Sequence, residues 1–375
     1  MKVPFLDLKE QNLQIKGEVL PLWEEILESS QFIGGQHITG FEKEFSHACE
    51  SKYCIAVSSG TCALRFIFLA LGLKPGDEVI TVPNTFIGTT EAITQAGGRV
   101  AFVDIDPKRY TLCPKSLSTY LSSLPPDRKV KIKGIVPVHL YGQMAEMDKI
   151  LSIAEEHGLW VVEDACQAHL ARYKTRKAGS IGIAGAFSFY PSKNLGGGGE
   201  AGAIVTDSIE IYKKVKMLRD HGQSEKYIHE IEGFNGRCDA LQGALLRIKL
   251  KYLEKWNELR RESAEFYSNL LMDLKEIHLP TFYADSVHVH HLFVIQLDNR
   301  DQVMKKLEEN GIGSGLHYPV ALNLQKAYSH LGFERGSFPI AEKAADRVLS
   351  LPMYPGLKKA QIEYTCESLA KIISE

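Results

Sequence analysis

Between Cys54 and Asp207 the chain alternates strand-like and helix-like runs, and that alternation leaves few folds open. The strand candidates are CIAVSS (54–59), EVITVP (78–83), RVAFVDI (99–105), GIVPVHLYG (134–142), WVVEDA (160–165), AFSFYP (186–191) and GAIVTD (202–207). Several are near-continuous apolar runs, as strands covered on both faces require. Helical patterns such as TCALRFIFLALGL (61–73) and MDKILSIAEEHG (147–158) separate most of them. The alternation predicts an α/β fold with a mainly parallel sheet and helices on both faces. Right-handed crossovers then gather the strand C-termini, and the loops after them, along one edge, where such sheets bind ligands.

After Asp207 the character changes. The segment 239–271 reads as one long helix that bridges to a further unit containing HLFVIQL (291–297), RDQVMKKLEENG (300–311) and AQIEYTCESLAKIIS (360–374). A length of 375 residues with 44% hydrophobic content fits one large and one smaller domain. The formal net charge is −2 and Lys/Arg residues are dispersed, which argues against a nucleic-acid partner. KVKIK (129–133) reads as a solvated flank of a strand. Seven cysteines without a CxxC pair argue against a disulfide framework or a zinc site and for a reducing, cytoplasmic setting. The opening MKVPFLDLKEQ has no apolar core of a signal peptide, and no apolar run is long enough to span a bilayer.

Three polar clusters fall just after strands. SSGTCAL (58–64) offers free backbone N–H groups and hydroxyls at a helix start, which suits a phosphate; a plain helix cap by Ser or Thr accounts for it equally well. In VVEDACQAHLA (161–171), Asp164 ends a buried strand and Gln167 follows; a helix cap, or an acid paired with a positive ring nitrogen, are the two readings. In FSFYPSKNLGGGGEAGAIVTD (187–207), Lys193 follows Ser188 and precedes four glycines that allow close backbone approach. A lone lysine is usually a solvated charge. Beside an acid and an anion site it can instead form a Schiff base, and pyridoxal 5′-phosphate needs those three groups together. The lysine precedes the glycines, so the stretch is not a P-loop, and no GxGxxG follows an early strand.

These motifs, with PFLDL (4–8), FIGGQHITGFEKEF (32–45), GDEVITVPNTFIGTTEAI (76–93), PVHLYGQ (137–143), GFNGRCDALQGA (233–244), HYP (317–319) and LSLPMYPGL (349–357), occur in one order along nearly the whole chain. In that order the chain resembles the DegT/DnrJ/EryC1/StrS sugar aminotransferases, within the fold type I pyridoxal-phosphate enzymes. The resemblance implies a three-layer fold with a seven-stranded, mainly parallel sheet and a smaller C-terminal α+β domain. The expected division is 1–240 for the large domain with its N-terminal helical segment, and 241–375 for the linking helix and small domain. Lys193 would carry the cofactor and Asp164 would pair with its ring nitrogen. Phe86 and Gln167 would lie against the two ring faces. Gly60, Thr61 and Ser188 would bind the phosphate, joined by Asn235 from a neighbouring subunit of a homodimer. Departures from the pattern are Cys62 for alanine, Gly243 for alanine, and Glu200-Ala201 for Asp-Gly; none removes a core residue.

The implied reaction moves an amino group from L-glutamate to a nucleotide-linked keto sugar. Lys226, Arg219 and Arg237 are candidates for the diphosphate, against a solvated-face reading of equal weight. His221, Tyr227 and His229, with His317 and Tyr318, are candidates to line the sugar pocket. PVHLYGQ, HGQSEKYIH and NGRCD-LQ favour a ketone at C3 over C4. The alternatives are a 4-keto sugar, an aminocyclitol precursor, or a non-catalytic binding or regulatory protein that keeps the fold, against which the intact Lys193 and Asp164 argue.

Overall fold

The computed structural model describes residues 1–375. Two helices, α1 (Lys9–Ser29) and α2 (Gly35–Ala48), precede the alternating region. That region contributes β1 (Tyr53–Val57), α3 (Gly60–Ala70), β2 (Glu78–Thr81), α4 (Ile87–Gln95), β3 (Arg99–Phe102), β4 (Ile132–Ile135), α5 (Met147–Glu156), β5 (Trp160–Asp164), β6 (Ala184–Ser188) and β7 (Gly202–Thr206). The seven strands form one sheet in the order β1-β7-β6-β5-β4-β2-β3. Only β7 runs against its neighbours, pairing antiparallel with both β1 and β6; every other pairing is parallel. The reversal follows from the connection. Residues 189–201 hold no helix, and without a crossover the chain must return alongside β6 in the opposite sense.

Strand residues are buried on both faces, as in β2 and β7, where every residue is buried. The long helix α7 (Ala240–Leu271), about 48 Å long at its regular rise, ties the two parts together. Its first half packs against α1 and contributes Leu245 and Ile248 to a cluster with Ile15, Val19 and Trp256. Its last turns bring Ala264, Tyr267 and Leu271 into a second core. That core is built on the antiparallel pair β8 (Phe293–Gln296) and β9 (Val348–Leu351), with α8 (Arg300–Glu309) and α9 (Lys359–Ser374) over it. The main core holds 76 buried residues and the second 20, so the architecture is one large unit with a smaller one attached. Val3, at the start of the chain, belongs to the small core and bridges Ile312.

Where the parts meet, the interior holds three histidines and one arginine. His288, His290 and His291 are all buried just before β8. The His288 and His290 rings stack with centroids 3.9 Å apart. Arg260 of α7, also buried, donates through Nη1 to the carbonyls of His290, His291 and Met353 at 3.2, 3.4 and 3.0 Å. Burial, reinforced by Arg261 and Arg260, pulls the pKa of His290 down to about 3, and burial pulls His288 and His291 well below the ordinary value. These rings stay neutral in the folded state while the unfolded chain takes up protons below about pH 6.5. The fold therefore loses stability as pH falls through that value, by about 1.4 kcal/mol per pH unit for each such histidine. Urea midpoints measured from pH 7.5 to 5 should fall steadily below pH 6.5; a flat profile would contradict the neutral, buried placement.

Candidate active site

The C-terminal ends of four parallel strands deliver the polar residues. β1 leads into Ser58–Thr61, β2 into Thr85–Thr89, β5 ends on Asp164, and β6 ends on Ser188 ahead of Lys193. The loop carrying His317 and Tyr318 closes over them. Together they line a cavity of 870 Å³, and Gly60, Thr61, Phe86, Asp164, Gln167, Ser188, Lys193, His317 and Tyr318 all face it.

Asp164 is 5% exposed, and its carboxylate is held on both oxygens. Oδ2 accepts from the Thr89 hydroxyl at 2.6 Å and Oδ1 from the Cys166 N–H at 3.2 Å. Thr89 spends its only proton on the carboxylate, so the Thr85 hydroxyl 2.7 Å away donates to Thr89. The result is a relay of two hydroxyls that orients the acid toward the cavity.

Lys193 sits in the same cavity, and its Nζ makes neither a hydrogen bond nor an ion pair within the chain. Burial lowers its pKa below the ordinary lysine value, with Cys166 and Asp164 pulling the other way. Its loop is fixed from α7. Asn194 donates to Asn257 Oδ1 at 2.8 Å and to the Val289 carbonyl at 2.9 Å, and Lys249 Nζ donates to the Gly196 carbonyl at 2.8 Å. Gln242 Oε1 accepts from the Gly198 N–H at 2.8 Å. The glycines do permit close approach, but to the protein itself. A Cβ on Gly196 would lie 2.2 Å from the Pro191 carbonyl oxygen, and one on Gly197 2.7 Å from Gln242.

The start of α3 is an anion cradle. Ser59 caps the helix, its Oγ taking the Cys62 N–H at 3.1 Å and its carbonyl the Ala63 N–H at 2.9 Å. The Gly60 and Thr61 N–H groups remain for a ligand. Gly60 has no room for a side chain: a Cβ there would lie 2.8 Å from both Cys166 Sγ and Ser188 Cβ. Gln167 accepts from the Tyr141 N–H at 2.7 Å and donates to the Tyr318 hydroxyl at 3.2 Å. Phe86, 55% exposed, stands at the mouth with its ring 5.9 Å from that of Tyr318. His317 bonds Ser350 Oγ at 2.9 Å and stacks on Phe5; burial and the Lys193 charge lower its pKa to about 4.

The segment 219–237 behaves differently from expectation. Within one chain, Lys226, Arg219, Arg237, His221, Tyr227 and His229 do not reach the Lys193 cavity with His317 and Tyr318. Arg219, Lys226 and Arg237 line a separate 900 Å³ cavity below the C-terminal end of α6 (Ile209–Leu218). Arg219 is spent internally: its Nη1 pairs with Glu42 and donates to the Ala56 carbonyl at 2.7 Å, tying α2 to β1. Arg237 pairs with Asp220. Tyr227 and His229 belong to an exposed hairpin formed by Gln223–Glu225 and Ile228–His229, with Tyr227 80% exposed, and His221, also exposed, sits just before it. Asn235 is exposed as well and is not among the residues lining the Lys193 cavity.

Several functional positions escaped the sequence reading. Thr85 lies in the turn before α4 and Thr89 in its first turn, and the Asp164 carboxylate that Thr89 meets is 75 residues away. His291 lines the cavity and His169 supports it, its Nε2 donating to the Ser188 carbonyl at 2.9 Å. Nothing local in the sequence marks either one. Glu200 also lines the cavity.

Comparison with known proteins identifies the family. The profile of the DegT/DnrJ/EryC1/StrS aminotransferase family fits residues 13–370. A Geobacillus stearothermophilus protein named "Pleiotropic regulatory protein" is 39% identical over 99% of this chain and 98% of its own. The dTDP-3-amino-3,4,6-trideoxy-alpha-D-glucose transaminase of Streptomyces venezuelae is 39% identical over 96% of this chain and 93% of its own. The crystal structure of S. venezuelae DesV in complex with a ketimine intermediate superposes with a TM-score of 0.94 at 38% identity, covering 99% of this chain and 98% of that one. With the strand-end lysine and acid in place and the profile matched almost end to end, the chain belongs to the DegT/DnrJ/EryC1/StrS aminotransferase family.

Proposed function

We propose that this protein is a pyridoxal-phosphate aminotransferase that moves an amino group from L-glutamate to C3 of a nucleotide-linked keto sugar, acting as a homodimer in the cytoplasm. The observation that carries the reading is the half-buried, unpaired amine of Lys193 facing the same cavity as the Asp164 carboxylate and the open N-terminus of α3. Those groups fit the cofactor's aldehyde, ring nitrogen and phosphate. When bound, that cofactor supplies an electron sink for carbanion chemistry.

The chain's own residues do the rest. Lys193, its proton affinity lowered by burial, would hold the cofactor through Nζ and, once freed from it, would serve as the base toward the donor carbon. Asp164, oriented by Thr89, keeps the ring nitrogen charged. The Gly60 and Thr61 amides and the Ser188 hydroxyl receive the phosphate dianion. Phe86 and Gln167 would hold the ring, with Gln167 itself held by Tyr141 and Tyr318. His317 and Tyr318 meet the sugar; burial keeps His317 neutral above about pH 4, able to donate or accept hydrogen bonds to hydroxyls. Asn235, with Lys226 and Arg237, is exposed or faces a separate cavity, so in this reading those residues serve the partner subunit's phosphate groups. Arg219, spent on Glu42, is left out of the substrate set.

The assignment to C3 draws on the Streptomyces transaminase whose name carries a 3-amino sugar. The regulatory name of the Geobacillus relative favours a second reading, a binding protein on the same fold. Adding L-glutamate to the yellow protein separates the two: a catalyst loses its visible band and releases 2-oxoglutarate, whereas a binding protein keeps the band. Presented with 3-keto and 4-keto nucleotide sugars, the glutamate-treated protein should regain the band and give an amino sugar with the 3-keto set alone. Turnover of the 4-keto set alone would move the ketone. Thr89→Val should loosen the cofactor on dialysis by about tenfold or more, as expected for one lost hydrogen bond to a charged group, with little change in melting temperature. Unchanged retention would remove Thr89 from the account.

A further inference from the structure

Burial, and after it the charge of Lys193, lowers the pKa of three imidazoles, His169, His291 and His317. They are not equivalent. His169 donates through Nε2 to the Ser188 carbonyl, its Nδ1 is sealed in the interior, and it does not line the cavity. His317 bonds the Ser350 hydroxyl, which can donate or accept, so neither tautomer is imposed. His291 lines the cavity, is buried, and has its tautomer fixed by a chain of amides.

That chain starts from a backbone carbonyl. Asn257 Nδ2 donates to the His169 carbonyl at 3.0 Å, so Asn257 Oδ1 is the acceptor for Asn194 Nδ2 at 2.8 Å. Asn194 Nδ2 also donates to the Val289 carbonyl at 2.9 Å, which leaves Asn194 Oδ1 facing His291 Nδ1 at 3.2 Å. An amide oxygen only accepts, so Nδ1 carries the ring's proton and Nε2 keeps a bare lone pair. Nε2 has no partner within the chain and, unlike His169 Nδ1, it is not sealed off. In the same cavity the N–H groups of Lys193 Nζ have no acceptor. The two complementary groups are carried by linked residues: Lys193 precedes Asn194, and Asn194 holds His291.

We propose that His291 Nε2 accepts a hydrogen bond from Lys193 Nζ once the lysine is free, which makes His291 a positioning residue for the base; the proposal rests on the aminotransferase reading. When Lys193 takes the proton of the donor carbon, the C–H bond breaks, its electron pair stays on the ligand, and the amine becomes an ammonium. His291 neither gains nor loses a proton. Its lone pair receives one N–H of that ammonium, which stabilises the charged lysine and aims its other N–H bonds. The burial that keeps His291 from taking the proton itself leaves it suited to accept.

The test separates the two ring nitrogens. His291→Gln sets an amide oxygen near the place of Nε2 and gives up the Asn194 contact. His291→Asn sets its amide near the place of Nδ1, keeps that contact and removes the acceptor. With cofactor-loaded protein and L-glutamate deuterated at Cα, His291→Asn should lose its visible band about tenfold more slowly than wild type, as for one lost hydrogen bond to a charged group, and with a larger isotope effect. His291→Gln should stay close to wild type. A histidine that only supports the lysine's loop gives the reverse order. The second readout needs no turnover. In the full-length chain without cofactor, the pH dependence of Lys193 acetylation, followed by mass spectrometry of its peptide, should give an apparent pKa about one unit lower in His291→Asn than in wild type or His291→Gln. Equal rates and equal titration in His291→Asn and wild type, or a Gln variant slower than the Asn variant, would overturn the inference and leave the aminotransferase reading standing. A wild type that keeps its band with glutamate overturns that reading, and the Lys193 titration then decides the His291 contact by itself. Should His291→Asn not fold, His291→Leu takes its place: the Gln variant should outrun it, and equal loss in both would count against the proposal.

Discussion

The arrangement depends on holding one amine half-buried at the wall of a cavity with no fixed counter-charge. An ammonium moved into a low-dielectric interior is costly, and the usual outcome is that the group gives up its proton more readily. Lys193 is in that condition. Asp164 lies in the same cavity but is turned onto Thr89 and the Cys166 N–H rather than onto the lysine. Because the carboxylate is engaged elsewhere, the amine stays free to react. Much of the surrounding structure serves that separation. The strand ends present the two groups from adjacent strands, β5 and β6, registered Asp164 against Ala186. Helix α7 fixes the lysine's loop through Asn257, Lys249 and Gln242, so the position of Lys193 is set from outside the sheet.

The same long helix couples the small unit to the site. Arg260 of α7 gathers the backbone around His290, His291 and Met353, and Asn257 reaches the His169 carbonyl at 3.0 Å. From the small unit's side, His317 is anchored on Ser350, and its carbonyl accepts from the Tyr141 hydroxyl. The loop that closes the cavity is thus bonded to both units at once. A shift of the small unit would move His317 and Tyr318 while leaving Lys193 and Asp164 in place.

The strands were readable because each is an apolar run bounded by turn residues, and the site motifs were readable because they follow those runs. The reversed direction of β7 was harder to see: GAIVTD has the same pattern in either direction, and the only clue is the helix-free, glycine-rich stretch before it. Side-chain commitments were beyond reach. Arg219 has the composition of a phosphate ligand, yet Glu42, far away in sequence, claims it. The hairpin around Tyr227 reads as polar and aromatic, like a pocket wall, but in one chain it projects outward. Thr89 and His291 depend on contacts across 75 and 97 residues, to Asp164 and Asn194, which no local pattern encodes.

The chain contains a rival for the reactive amine. Lys249 is also buried, and burial lowers its pKa to about 8, but its Nζ is held by the Gly196 carbonyl. The most direct measurement is therefore to load the protein with pyridoxal phosphate, reduce it with borohydride, and find the modified peptide by mass spectrometry. The account predicts a single adduct on Lys193. An adduct on Lys249, or none on either lysine, would contradict the claim that the unpaired amine at the end of β6 is the centre of the chemistry.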